Sequence, residues 1–400
     1  MSLRNRVEEL ADAIWPNIQS IRRHIHAHPE LSFQEHNTMA FISQQLTNEG
    51  IAHRTGVADT GIVADIKGGK DGRVVALRAD IDALPIQEEN QVDYASENKG
   101  IMHACGHDVH SASLLGAAII LHRLKDEFAG TVRCIFQPGE EKIPGGASMM
   151  IAEGVLDDIP VELIIGQHVF PDLPAGEVGF KPGMYMASAD EVYITVKGIG
   201  GHAAMPHLNI DPVVISAEII GNLQHLVSRH APATIPTVLS FGKVIADGAT
   251  NVIPEVVKLE GTFRAMNEEW RARAHELIEE IAKGIAKAHG GSCEVEVRRG
   301  YPYLENNSPL TEFCEQSAKQ YIKEDKVHRI PLRMTGEDFA FYSQKVPACF
   351  YRLGTSSPDG KRFKDSVHTP RFDIDEDALR IGAGLMAFLA LKNLEVEAIN

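Results

Sequence analysis

The segment His103-Ala104-Cys105-Gly106-His107-Asp108 sets one thiol and two imidazoles within six residues, in a chain of 400 residues that holds only five cysteines. Sulfur and imidazole nitrogen at this spacing are donors that a zinc-like cation selects. An isolated Cys-x-His is more readily read as a buried cysteine with incidental histidines, but three further segments change that balance. Apolar runs that read as strands end in Arg78-Ala79-Asp80-Ile81-Asp82, in Gln137-Pro138-Gly139-Glu140-Glu141 and in Gly166-Gln167-His168; a fourth, 349–353, precedes a loop holding His368-Thr369-Pro370. In open α/β sheets ligands bind beyond the carboxyl ends of the strands, so these groups are expected to meet at one edge. Singly, each has an ordinary explanation as a turn, a helix cap or a solvated loop. Together, a cysteine, several histidines and a glutamate make a coordination sphere. Paired carboxylates beside such ligands divide their labour: one coordinates, and its neighbour stays free to move a proton. The chemistry expected is metal-assisted hydrolysis.

The elements that position these residues follow from pattern. Short apolar runs at 61–65, 74–77, 132–136 and 163–165 alternate with helical stretches such as 111–124. That alternation predicts an α/β fold, a mostly parallel sheet with helices on both faces. From Glu191 the pattern changes to β-α-β-β-α-β, the layout of a small ferredoxin-like α+β domain, with Asp211-Pro212 opening its first helix. The domain organisation expected is therefore a discontinuous domain, 1–183 and 299–400, interrupted by an inserted domain at 184–298.

Composition excludes several partners. A formal net charge of -16, without clustered Lys or Arg, argues against nucleic acid. No apolar run approaches the roughly 20 residues that span a bilayer, so no membrane association is expected. The N-terminal decapeptide reads as an amphipathic helix and not as a signal peptide, and the cysteines at 105, 134, 293, 314 and 349 show no disulfide framework. A cytoplasmic location is expected.

Taken in order, these motifs resemble those of the M20 metallopeptidase family, in its amidohydrolase branch of hippurate hydrolases, N-acyl-amino-acid aminoacylases and auxin-conjugate hydrolases. The likeness covers 24–32, 78–85, 103–108, 136–141, 167–169, 200–207, 336–339 and 368–370. It implies a zinc-exopeptidase-like catalytic domain with two divalent metal ions per subunit, zinc foremost, with manganese, cobalt and nickel also fitting. Cys105, His107, Glu141, His168 and His368 match the ligand positions, Cys105 standing where other branches carry a bridging carboxylate. Glu140 matches the general base and Asp82 the carboxylate that orients a ligand. His202, in the inserted domain, matches a histidine that reaches a partner subunit's site, which implies a homodimer. Asn251 and Arg264 match residues that hold the substrate's carboxylate, and Gly336 is placed with them. The implied substrate is an N-acyl-L-amino acid; a dipeptidase or carboxypeptidase of the same family is the alternative. One departure is Lys142-Ile143-Pro144, which separates the paired glutamates from the glycines that usually follow them.

Three other classes compete. Gly198-Ile199-Gly200-Gly201-His202-Ala203 fits a loose dinucleotide fingerprint, but Pro206 follows and no helix opens there. Cys105 could be a nucleophile with His103 or His107 as its base. A metal- or peptide-binding protein with a dead site is the third reading, against which the intact Glu140 speaks.

Overall fold

The computed structural model describes residues 2–396. The chain divides into two compact units. One comprises Met1–Gly183, Glu305–Pro331 and Asp338–Asn400; the other comprises Met184–Leu304 and Leu332–Glu337.

In the first unit, β-branched and other apolar runs build an eight-stranded sheet in the order His53–Val57, Gly61–Lys67, Ala129–Gln137, Lys70–Asp80, Leu163–Pro174, Ala348–Ser356, Val178–Phe180, Val327–Arg329. The four central strands, Ala129–Gln137 through Ala348–Ser356, are mutually parallel, so their carboxyl ends open at one edge. Among the described residues antiparallel pairing lies towards the margins, where His53–Val57 meets Gly61–Lys67, Gly61–Lys67 meets Ala129–Gln137 and Val178–Phe180 meets Ala348–Ser356. Central strands are buried on both faces: Val74–Asp80 and the whole of Ala348–Ser356 are buried, as expected where helices flank the sheet.

Helix Leu3–Ala27 buries Val7, Ala11, Ile14, Ile18, Ile21 and Ile25, a stripe at alternating three- and four-residue spacing. It packs with His107–Arg123 and Asp377–Leu394. All three approach closely at Gly116, where an added Cβ would lie 2.4 Å from Ile18 Cδ1 and 2.8 Å from Ala383 Cβ. Inside this apolar layer sits a charged clamp. Arg22 is fully buried, and its guanidinium donates to Asp108 Oδ2 at 2.7 Å and to Asp373 Oδ1 at 2.8 Å. One side chain thereby ties the first helix to the start of the helix carrying His107 and to the loop after His368.

The second unit is a four-stranded antiparallel sheet in the order Thr237–Ala246, Val256–Ala265, Asp190–Lys197, Ser292–Arg299. Helices Pro212–His225 and Glu268–Ala288 complete the β-α-β-β-α-β sequence. Asp211 caps the first of these helices, accepting the Val213 N–H at 2.8 Å, as its Asp-Pro opening predicts. Val192, Ile194 and Val196 alternate into a core with Ile215, Ile219, Phe263 and Ile278.

Two short segments depart from the expected organisation, which assigned 299–304 and 332–337 to the larger domain. Their backbone groups are satisfied within the smaller unit. Gly300 O accepts from Arg271 Nη2 at 3.0 Å, Tyr301 O accepts the Ala189 N–H at 3.0 Å, and the Arg333 N–H donates to Tyr185 O at 2.8 Å. Tertiary hydrogen bonding, which has no local sequence signature, sets the boundary here. Among the described residues no helix is long and apolar enough to cross a membrane.

Removing a cation from between buried carboxylates leaves them uncompensated. Arg22→Ala is expected to lower stability by about 3 to 5 kcal/mol, read from urea unfolding. A loss below about 1 kcal/mol would show that the clamp does not hold these segments together.

Candidate metal centre

The predicted donors in the first unit lie within a central strand, in the loop that follows one, or, for His107, at the start of the next helix. Asp80 closes Lys70–Asp80, and Asp82 is two residues beyond it. Glu140 and Glu141 follow Ala129–Gln137, and His168 lies within Leu163–Pro174. Gly106 adopts the left-handed conformation, φ +79°, and lets the chain turn so that His107 opens its helix directly after Cys105. His368 reaches the same place from its loop, where its backbone N–H donates to Ala104 O at 2.7 Å.

The structure brings Cys105, His107, Glu141, His168 and His368 together. Cys105 Sγ is 3.4 Å from His168 Nε2 and 3.3 Å from His368 Nε2. Glu141 Oε1 is 3.1 Å from His368 Nε2 and 4.0 Å from His107 Nε2. Two donor groups result, Cys105/His107/His168 and Cys105/Glu141/His368, in each of which the ligand atoms lie within 4.8 Å of one another. Cys105 belongs to both. Donors bound at 2.0–2.3 Å around one tetrahedral ion stand about 3.3 to 3.8 Å apart, so these separations fit a cation in each group. His107 Nε2 and Glu141 Oε1 are buried without an aligned hydrogen-bond partner, an arrangement that a polar interior avoids unless a cation satisfies it.

Hydrogen bonds fix which atom each imidazole offers. His107 Nδ1 meets Asp82 Oδ1 at 3.1 Å, which leaves Nε2 facing the site. Asp82 is itself held, its Oδ2 accepting from Ser32 Oγ at 2.6 Å and from the Glu141 N–H at 3.0 Å. His168 Nδ1 donates to Val169 O at 2.8 Å, so its Nε2 carries the free lone pair. These are the contacts through which a carboxylate or carbonyl orients a metal-binding imidazole.

Glu140 belongs to neither donor group that contains Cys105, although its carboxylate lies within 4.8 Å of donor atoms of His107 and Glu141. Its Oε1 accepts the Asp338 N–H at 3.3 Å, and it is 6% exposed. Asp338 is anchored in turn by Arg78 Nη2 at 2.7 Å, Gln137 Nε2 at 2.8 Å and the Ala147 N–H at 3.0 Å. The pairing of a coordinating Glu141 with a proton-moving Glu140 thus has a geometric basis.

Several supporting residues escaped the sequence reading. His110, one helical turn beyond His107, accepts the Val169 N–H on Nε2 at 2.9 Å and donates from Nδ1 to Asp80 Oδ1 at 2.6 Å. Both ring nitrogens are engaged, so His110 steadies the strand bearing His168 and has no lone pair to offer a metal. Its i, i+3 spacing from His107 was the available signal. Asp338 and Ser32 carried none beyond their places in the motifs. His103 is buried, makes no side-chain hydrogen bond among the described residues, and has its pKa pushed down to about 4 by burial.

Charge in the site weighs against Cys105 as a nucleophile. Burial, then the carboxylates of Glu141, Glu140 and Asp80, push its thiol well above the usual range. His107 is pushed up to about 10: burial opposes the charged form, but Asp80, Asp82 and Glu141 outweigh it. A protonated imidazole cannot serve that thiol as base.

The remaining predicted residues belong to the second unit. Gly201–His202 is a two-residue strand paired with Val252–Ile253, so the segment after Gly198 does not open the helix a dinucleotide turn requires. His202 is exposed; its Nδ1 accepts the Ala204 N–H at 3.1 Å, which directs Nε2–H outward in the neutral ring. Asn251 is exposed beside it, its carbonyl accepting the Ala203 N–H at 3.0 Å. Arg264, on Val256–Ala265, is half-buried and makes no ion pair among the described residues. A Cβ on Gly336 would lie 3.2 Å from Arg264 Nη1 and 2.8 Å from Ala189 Cβ, so Gly336 leaves the guanidinium its space.

Residues 76–392 match the family described as Peptidase family M20/M25/M40. The chain belongs to that family. Within it, the chain is 44% identical over 298 residues to the N-acyl-L-amino acid amidohydrolase of Geobacillus stearothermophilus, covering 74% of this chain and 80% of the relative. It is 40% identical over 381 residues to the N-acetylcysteine deacetylase of Bacillus subtilis, covering 94% and 96%. Among solved structures, the M20 member YXEP of Bacillus subtilis, described as a dinuclear metal binding peptidase, superposes with a TM-score of 0.81 at 37% identity over 96% of this chain and 99% of that one.

The raised proton affinities of His107 and Cys105 make metal uptake a proton exchange. Both groups hold protons at neutral pH and must lose them to coordinate, so affinity is expected to rise with pH from acid through neutrality. Calorimetric titration at pH 7 in buffers of different ionisation heat should report release of about two protons as the site fills. Release of fewer than about one would remove His107 or Cys105 from the ligand set.

Proposed function

We propose that the chain is a metal-dependent amidohydrolase that cleaves the amide bond of N-acyl-L-amino acids. The observation that carries this reading is the shared Cys105 sulfur, within 3.4 Å of donors from both groups, beside a Glu140 that is held by a backbone amide. Cys105, His107, Glu141, His168 and His368 would hold two divalent cations, zinc foremost, with manganese, cobalt and nickel also suited to S, N and O donors. Bound there, such ions supply Lewis acidity that polarises an amide carbonyl and lets water ionise near neutral pH.

The protein's own groups do the rest. Glu140 takes the proton of the attacking water and returns it to the leaving amine. Asp82 keeps His107 in the tautomer that presents Nε2. His202, whose outward Nε2–H is set by the Ala204 amide, donates to the oxyanion of the tetrahedral intermediate. Arg264, a planar donor fork without an ion pair among the described residues, binds the substrate's carboxylate together with Asn251, and Gly336 preserves the room it needs. On the family likeness of its segment, we infer that His202 serves a partner subunit and that the enzyme is a homodimer. Five cysteines without a disulfide support a cytoplasmic location.

A panel of N-acetyl-, N-benzoyl- and N-succinyl-amino acids and free dipeptides, with elemental analysis of the protein, tests the proposal. Hydrolysis of the N-acyl compounds is expected to stop with 1,10-phenanthroline and return with added metal. Activity that survives chelation would favour a thiol mechanism, and turnover of dipeptides alone would favour a peptidase. Glu140→Gln is expected to lower kcat by about 10² to 10⁴, and His202→Ala by about 10² to 10³ with metal retained. Mixing the two inactive proteins under conditions of subunit exchange should restore activity; proven exchange without recovery would make each subunit self-contained.

A further inference from the structure

We propose that Glu35 is a positioning residue for the general base: its buried carboxylate fixes the Gly139 backbone so that Glu140 stays a proton carrier and does not join Glu141 as a metal ligand. This rests on the amidohydrolase reading and names what keeps its two adjacent glutamates in different roles. Distance alone does not separate them. Glu140, Glu141 and His107 place donor atoms within 4.8 Å of one another, the separation that also bounds the two groups containing Cys105. Glu140 is thus near enough to coordinate unless its backbone is held.

The segment 32–35 supplies the hold. Glu35 stands at the N-cap of helix His36–Asn48, where a side-chain oxygen ordinarily accepts an amide of the first turn; it makes no such bond. Instead its Oε1 accepts the Gly139 N–H at 2.9 Å, and its Oε2 accepts from Thr60 Oγ1 at 2.7 Å. The carboxylate is fully buried, and burial, then the charge of Asp82, raise its proton affinity. Such a place is costly for a carboxylate unless its acceptors are used. Phe33 adds a second restraint. Its backbone is left-handed, φ +65°, a conformation that a bulky residue adopts only under constraint. Its ring lies against Gly139, where an added Cβ would sit 2.3 Å from Phe33 Cε1. The Gly139 carbonyl is engaged as well, accepting the Gly146 N–H at 3.1 Å. On the other side of Glu140, the Glu141 N–H donates at 3.0 Å to Asp82 Oδ2, the oxygen that Ser32 Oγ also meets at 2.6 Å. The backbone on both sides of Glu140 is therefore tied to buried carboxylates. Its side chain is left to turn about its own bonds alone, towards the Asp338 amide.

The test pairs kinetics on an N-acetyl amino acid with calorimetry of zinc binding. Glu35→Met, which removes the acceptor and keeps the length, is expected to lower kcat about 10- to 100-fold with little change in KM, while zinc binds at least as tightly as in the wild type. A general loosening around the ligands would instead cost about 10- to 100-fold in zinc affinity together with the rate. Glu35→Gln still offers Gly139 an acceptor and should stay within about three-fold of the wild-type kcat. Thr60→Val frees the other oxygen of Glu35; it should give the pattern of Glu35→Met at smaller amplitude, and it decides the matter if Glu35→Met does not fold. Three results overturn the proposal: wild-type kcat in Glu35→Met and Thr60→Val, a loss in Glu35→Gln equal to that in Glu35→Met, or zinc affinity that falls along with kcat. Failure of the metal-loaded wild type to cleave any N-acyl amino acid overturns the amidohydrolase reading instead. The calorimetric comparison needs no substrate and then judges Glu35 by itself, weaker zinc binding in Glu35→Met counting against it.

Discussion

Crowded negative charge at the carboxyl edge of the parallel sheet is the constraint on which the rest of the first unit depends. Asp80, Asp82, Glu140 and Asp338 are buried there, with Glu141 half-buried among them. The cationic counterweights on hand are Arg78 and a His107 whose proton affinity these carboxylates raise. Buried like charges repel strongly at low dielectric, so further positive charge entering this interior is favoured. Protons meet that demand in one state and divalent cations in the other. The preference for a cation is thus a property of the folded charge distribution before any particular metal is considered.

Holding such an edge together needs rigid attachments, and two buried guanidinium groups supply them. Arg78 joins its own strand to Asp338, whose backbone amide positions Glu140. Arg22 joins the N-terminal helix to Asp108, next to His107, and to Asp373, five residues after His368. Segments separated by hundreds of residues are placed by planar, multidentate donors whose geometry leaves little freedom. The parallel strands set the approximate meeting point; these clamps refine it to the separations a cation needs.

Much of this was legible in the sequence. Apolar runs alternating with helical stretches disclosed the parallel sheet, and reactive residues gathered just past those runs disclosed the site, because strand direction and residue chemistry are both local properties. The β-α-β-β-α-β order of the smaller unit was legible for the same reason. Elements whose existence depends on distant partners were not. The marginal strands Val178–Phe180 and Val327–Arg329 have three residues each and form by pairing with one another. Helices His36–Asn48 and Ser308–Ile322 carry weaker apolar stripes and were passed over. Arg22 resembles any exposed helical arginine until the fold buries it, and His110 resembles a spare histidine until Val169 donates to it. The roles proposed for His202, Asn251 and Arg264 rest on family likeness, since nothing in their spacing distinguishes a carboxylate-binding arginine from a solvated one.

Gly106 carries an implication for how this centre can change. A side chain there would collide with Val169, its Cβ lying 2.7 Å from Val169 Cγ2. The loop that bears Cys105 and His107 is therefore seated against the strand that bears His168, and neither can be displaced without the other. Adjusting one cation's surroundings by moving backbone would disturb its neighbour's as well. Substitutions that leave both donor groups in place are accordingly expected among the side chains around them and not at this backbone contact.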